Sequence, residues 1–169
     1  MYGVVGDRFD MMPIPLVDAA TTYFPAGDLV IGVEGRQIDA DTVAAELGHL
    51  TPAQEAAVKA QQPADLDDSG PSVHVIDAAT GTEHLRFDCF DNGPHYHYVI
   101  PDEGYQIVVT MDRAACGDPI DFAVGCLQTR LRPMLAAAGR DDLAQLVDDD
   151  LIAEVIPAVH ELARQLAAV

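Results

Sequence analysis

Lysine, serine, cysteine and tryptophan are all scarce in this sequence of 169 residues. Lys59 is the single lysine beside eight arginines, Ser69 and Ser72 are the only serines, and tryptophan is absent. With both serines in or near a polar connector, a Ser-His-Asp hydrolase has no nucleophile to use. The cysteines, Cys89, Cys116 and Cys126, are odd in number and lack CxxC spacing. That argues against a disulfide framework and against a structural zinc knuckle. Positive charge is short overall: 9 Lys+Arg face 28 Asp+Glu, a formal net charge of −19. Such a balance excludes the electrostatic footprint of a nucleic-acid or anionic-membrane binder. No apolar run reaches the ~18 residues of a membrane span, no basic-then-apolar leader opens the chain, and no GxGxxG or Walker A string occurs. The expectation is a soluble cytoplasmic protein with neither nucleic acid nor membrane as partner.

Hydrophobic residues make up 49 % of the chain, enough for a single domain over residues 1–169 with its own core. Residues 1–28, with Pro13, Pro15 and Pro25 and no sustained period, read as an irregular lead-in lying across the body of the domain. Leu29–Val33 and Arg36–Ile38 flank Glu34-Gly35 and read as a tight hairpin. A helical segment over 40–62 follows, with Asp39 or Asp41 as one cap and Thr51-Pro52-Ala53-Gln54 as a capping box for a second helix. Residues 63–71 form a Pro/Gly-punctuated connector.

Residues 72–112 are strand-like: Val73–Asp77, Glu83–Phe90, His95–Ile100 and Tyr105–Met111, separated by short turns that predict an antiparallel meander. Residues 118–168 are helical, opened by Asp118-Pro119. The last helix carries an apolar stripe of Ile152, Val155, Ile156, Val159, Leu162 and Leu166. If the core does not cover that stripe, the chain is a homodimer. The fold class is α+β: an antiparallel meander with helices packed on one face.

One segment is chemically pointed. Glu83 to Tyr98 holds three of the six histidines. Alternation on a strand sends His84, Arg86 and Asp88 to one face and Leu85, Phe87 and Cys89 to the other. Across the Asp91-Asn92-Gly93-Pro94 turn, His95 and His97 share a face. The hairpin then gathers imidazoles, a carboxylate and a guanidinium on one side of the sheet. His95 and His97 would ligate a divalent metal (Zn, Fe or Mn) with Asp88 or His84 as third ligand, leaving a position for water or substrate. Equally, His95 and His97 would be acid–base groups, Asp88 the orienter of an imidazole and Arg86 the holder of an anion. Against both stands an ordinary polar sheet face with Asp88 paired to Arg86 or His84. Cys89, on the core side, is a poor nucleophile.

Gly93-Pro94-His95-Tyr96-His97 with Asp102-Glu103-Gly104 resembles the first cupin motif locally, but the acid comes late and no second histidine motif follows. The string LRFDCFDNGPHYHY resembles the hallmark of a bacterial family of unknown function, over about residues 73–135, and implies no activity. Two functions stay open. The first is a site on the sheet for a divalent metal or small polar ligand, with hydrolytic, isomerase-like or oxygenase-type chemistry among its uses. The second is a non-catalytic acidic protein, of the immunity or regulatory-subunit kind, that binds a basic protein partner. A site requires the histidines in a concavity, whereas an interaction protein would leave them scattered and exposed.

Overall fold

A computed structural model describes residues 4–61 and 65–168 of the chain. Seven strands, β1 (Asp7–Phe9), β2 (Thr21–Ala26), β3 (Leu29–Asp39), β4 (Asp67–Asp77), β5 (Glu83–Asp88), β6 (His95–Ile100) and β7 (Tyr105–Thr110), form one antiparallel sheet. Its order is β1-β7-β6-β5-β4-β3-β2, so β2 to β7 are a meander and β1 adds to the far edge. Helices α1 (Ala40–Leu47) and α2 (Pro52–Gln61) lie between β3 and β4. After β7 come α3 (Arg113–Cys116), α4 (Pro119–Thr129), α5 (Leu131–Ala137), α6 (Asp141–Gln145) and α7 (Asp149–Ala167). The fold is the α+β meander that strand alternation and short turns predict. No described helix is long and apolar enough to cross a membrane.

Cross-strand registers sort the two faces. On one, the rows Val33–Val73–Phe87–Tyr96–Val109 and Ile31–Val75–Leu85–Tyr98–Ile107 run from β3 to β7. These side chains pack with Ile120, Leu127, Leu131, Leu135, Ile152, Ile156 and Val159 of the later helices in one core. Burial of each large aliphatic or aromatic side chain contributes about 1.5–3 kcal/mol, which makes this face the main source of stability. Local chemistry aligns the helices with it: Asp118 accepts from the amides of Ile120 and Asp121, and Asp148 from those of Asp150 and Leu151.

The opposite face is polar, with the rows Glu34–Ser72–Asp88–His95–Thr110 and Gly32–His74–Arg86–His97–Val108. It is not left to solvent. The chain between β1 and β2 travels from one edge of the sheet to the other and is tied down over the middle. The Ile14 carbonyl accepts from Arg86 Nη1 at 2.8 Å and from Arg36 Nη2 at 3.4 Å, and the Val17 amide donates to Glu34 at 3.3 Å. The lead-in therefore does lie across the body, as a strap, but it also contains β1 and β2, which its prolines and lack of period concealed.

Three further expectations change. Leu29–Asp39 is one continuous strand rather than a hairpin at Glu34-Gly35; the turn sits before it, at Gly27, whose φ is +69°. Glu34 looked like a turn residue because it is the polar member of an alternation whose polar side is buried. Part of the connector is strand: β4 starts at Asp67 and pairs back to Asp39, while Pro63 and the helix end at Gln62 lie outside the described residues. The helical segment opened by Asp118-Pro119 is not continuous: it breaks first at Arg130, whose backbone (φ −129°, ψ 0°) leaves the helical region.

Gly70 is what allows the paired β4 to meet the end of β5. With φ +154°, a Cβ there would stand 2.5 Å from the Cys89 carbonyl oxygen and 3.0 Å from Phe90 Cα, both fixed backbone. Gly70→Ala is expected to destabilise the protein by roughly 2 kcal/mol or more, since backbone must move to admit the methyl. Urea unfolding of the variant against wild type measures this, and a loss under about 0.5 kcal/mol would show that the approach is not tight.

Candidate functional site

The β5–β6 hairpin carries the polar rows at their centre, and its geometry follows from its turn. Asp68, at the start of β4, accepts from the amides of Asn92 (3.0 Å) and Gly93 (2.7 Å), while Arg113 donates to the carbonyls of Phe90 and Asp91. The turn so held fixes the register Asp88↔His95 and Arg86↔His97. Asp88, His95 and His97 come together as a triad whose ligating atoms lie within 4.8 Å of one another.

Each imidazole is anchored at Nδ1. His95 Nδ1 donates to the Gly93 carbonyl at 2.7 Å, an acceptor that settles the tautomer. His97 Nδ1 lies 2.8 Å from Gln106 Oε1 on β7. Both Nε2 atoms consequently turn to Asp88 Oδ2, at 3.3 Å for His95 and 2.9 Å for His97. Ser72 Oγ donates to the other carboxylate oxygen of Asp88. Imidazoles whose outer nitrogen is held by a carbonyl or amide while the inner nitrogens converge on a carboxylate reproduce the arrangement seen around protein-bound metals. The two nitrogen-to-carboxylate separations, 3.3 and 2.9 Å, suit it too: ligand atoms at about 2.0–2.1 Å from a metal stand about 3.0 Å apart in cis octahedral and about 3.4 Å apart in tetrahedral positions.

Electrostatics follow from burial and pairing. Burial alone would raise the Asp88 carboxyl, but His95 and His97 reverse this and hold it well below the usual carboxylate range. Burial depresses His97 and keeps its imidazole in the neutral form that binds metals. Burial also opposes charge on His95, yet the Asp88 carboxylate outweighs it and raises that imidazole.

Beside the triad lies a second network that sequence reasoning missed. His74 is fully buried between two carboxylates, with Nε2 3.2 Å from Glu34 Oε2 and Nδ1 against Glu83. Arg86, expected as an anion holder, is instead engaged: Nη2 donates to Glu83 at 2.8 Å and Nη1 to Ile14. Glu83 is available because of a β-bulge at Val75/Ile76, where Ile76 pairs with Glu83 and Val75 with Leu85.

The same bulge removes His84 from the triad, correcting the expectation that it shares a face with Arg86 and Asp88. His84 turns to the helical side, where Arg140 Nη1 donates to its Nε2 at 2.5 Å while Nη2 binds Asp77 at 2.9 Å. An imidazole nitrogen that accepts from a guanidinium has no lone pair left for a metal. Cys89 is buried with Sγ 3.4 Å from the Pro119 carbonyl, and burial pushes its thiol up, which suits a core residue rather than a nucleophile.

The triad opens into a cavity of about 830 Å³ between the polar face and the strap. Its floor includes Arg36, Arg86, Asp88, His95, His97 and Gln106, and its other walls include Met12, Ile14, Val43, Leu50 and Val58 from the strap and the α1–α2 region. A cavity of this size, mostly apolar with a few convergent polar groups, is the usual form of a small-molecule site.

Two carboxylates facing both nitrogens of His74 require it to carry both protons, and they raise its pKa above the ordinary 6.5 in spite of burial. A raised folded-state pKa means that its stabilising contribution is complete below the unfolded value and is lost as pH rises through the folded one. The stability advantage of wild type over His74→Asn should therefore be largest at or below about pH 6.5 and shrink at higher pH. Urea midpoints between pH 5.5 and 9 check this; an advantage that grows with pH would mean a neutral His74.

Comparison with known proteins places these elements in a wider group. Neither the curated proteins nor the solved structures contain a significant match. A family model described as a domain of unknown function, DUF7700, matches residues 23–163, which span β2 to α7 and every residue of the triad. The chain belongs to the DUF7700 family.

Proposed function

We propose that the polar face is a metal-dependent ligand-binding site in which His95, His97 and Asp88 hold one divalent cation, zinc, iron or manganese, at the floor of the cavity. The observation that carries this reading is the convergence of two Nδ1-anchored imidazoles on a buried carboxylate. A cation would take the place of the protons that hold the two Nε2 atoms to Asp88, with both imidazoles and the carboxylate as its ligands. Three protein ligands leave coordination positions free on the cavity side for water or a small polar ligand. A metal there would act as a Lewis acid and lower the pKa of bound water, which is the chemistry a hydrolytic, isomerase-like or oxygenase-type reaction draws on.

His84 has no part in this site. Arg86 contributes by holding the strap and Glu83, not by binding an anion directly. The competing reading, a non-catalytic acidic partner of a basic protein, calls for histidines scattered on the surface. The burial of His97 and Asp88 beside a large cavity favours the site.

Elemental analysis of tag-free protein should find one transition metal per chain, or one taken up from added Zn, Fe or Mn, and none in His95→Ala/His97→Ala. Protein that remains metal-free after exposure to all three would sink the metal centre. Gln106→Leu, which frees His97 Nδ1 without touching a ligand atom, is expected to weaken zinc about 10–100-fold in a competition titration with a chromophoric chelator. Affinity in the wild type should fall as pH drops through the raised His95 pKa, because the proton and the metal compete for Nε2.

A further inference from the structure

Among the described residues that line the cavity, one cationic side chain has a donor without a hydrogen-bond partner. Arg36 projects from β3 onto the polar face, and its side chain is only 6 % exposed. Nη2 makes a long contact to Ile14 at 3.4 Å. Nη1 is ion-paired with Glu34 Oε1 at 3.6 Å, beyond hydrogen-bond reach, and has no hydrogen-bond partner among the described residues. A buried guanidinium donor left unmade is costly, so a protein that keeps one beside a cavity has a use for it. Glu34, the anion paired with it, turns Oε2 to His74, Thr21 and the Val17 amide and leaves Oε1 at ion-pair distance from Arg36.

Charge on the floor points the same way. On the polar face Glu34, Glu83 and Asp88 are matched by Arg36, Arg86 and the doubly protonated His74, and either a proton on His95 or a divalent metal on the triad would make the balance net positive. Around the rest of the cavity stand Asp7, Glu46, Asp65 and Asp67. These acids disfavour a dianion, while a single free guanidinium donor matches one oxyanion of unit charge. The remaining lining, with Met12, Ile14, Val43, Leu50 and Val58, is apolar.

We propose that the ligand of this cavity is an amphipathic organic carboxylate, its oxyanion on Arg36 beside the triad and its apolar body against the strap and the α1–α2 region. The proposal rests on reading the cavity as a ligand site and assigns it a chemical class. Arg36 is the selecting residue, because among the described residues that line the cavity its Nη1 is the buried donor without a hydrogen-bond partner. The carboxylate and the metal are separate claims, since Arg36 is not a metal ligand.

The test is calorimetric titration of wild-type protein, zinc-loaded and metal-free, with octanoate, octanamide and octyl phosphate. Octanoate is expected to bind at least about tenfold more tightly than octanamide, the difference a charge-assisted hydrogen bond makes. It should also bind more tightly than octyl phosphate. In Arg36→Gln, octanoate and octanamide should bind within about twofold of one another, with zinc stoichiometry unchanged. Equal binding of acid and amide by wild type overturns the proposal and needs no variant to fold. So does an acid preference that survives Arg36→Gln, a preference for the phosphate, or failure of all three to bind. If zinc fails to load but the Arg36-dependent preference is present, the metal centre falls and the carboxylate site stands. If zinc binds but no carboxylate preference is seen, the carboxylate site falls and the metal centre stands.

Discussion

An ionised group buried at the middle of a sheet must be neutralised where it sits, and in this protein the demand falls on Asp88. Its carboxylate is nearly inaccessible and is met by Ser72 from β4 and by His95 and His97 from β6. Truncating one partner of such a group typically costs 3–5 kcal/mol, which exceeds the contribution of any single aliphatic contact on the other face. The β4–β5–β6 register, the turn held by Asp68 and the anchoring of both imidazoles can all be understood as ways of satisfying that one carboxylate.

The same logic extends along the polar face to Glu34, His74, Glu83 and Arg86, and it explains the strap. Buried guanidinium groups need acceptors, and the Ile14 carbonyl supplies one where no side chain could. The strap thus closes over the charged rows because they bind it, and the space it does not fill is the cavity. The protein is strongly acidic overall, yet the balance on this floor is close to neutral. The surplus of acids resides mainly on the surface and around the rim, where water screens it.

The two faces have separate tasks. The aliphatic rows against α4–α7 supply stability that does not depend on pH, and so the polar face can hold groups chosen for their chemistry. A site built on central strands, with each imidazole anchored at Nδ1 and turned toward Asp88, is more rigid than one built on loops. That rigidity is what a metal or a small ligand requires.

Alternation over residues 83–98 was sufficient to put Arg86, Asp88, His95 and His97 on one face, but the register that pairs Asp88 with His95 and Arg86 with His97 across the six residues 89–94 came only with the structure. It failed at His84, since a bulge breaks the period and nothing local announces it. His74 and Gln106 were legible only as polar members of strands and Glu34 only as a turn residue; their roles depend on partners carried by other strands. Leu85, Phe87 and Cys89 marked the core face correctly, but Glu34-Gly35 imitated a turn because a buried polar face looks, in sequence, like solvent. By itself, then, the sequence determined the fold class, the core face and the central hairpin, all of which follow from local periodicity and turn chemistry. Only the tertiary structure decided which charges meet, that β1 closes the sheet's far edge and that the lead-in becomes a strap. It also decided that His84 departs while Glu83 enters. The physical reason is that pairing between distant strands, and the neutralisation of buried charge, are properties of the assembled sheet that no short window of residues contains.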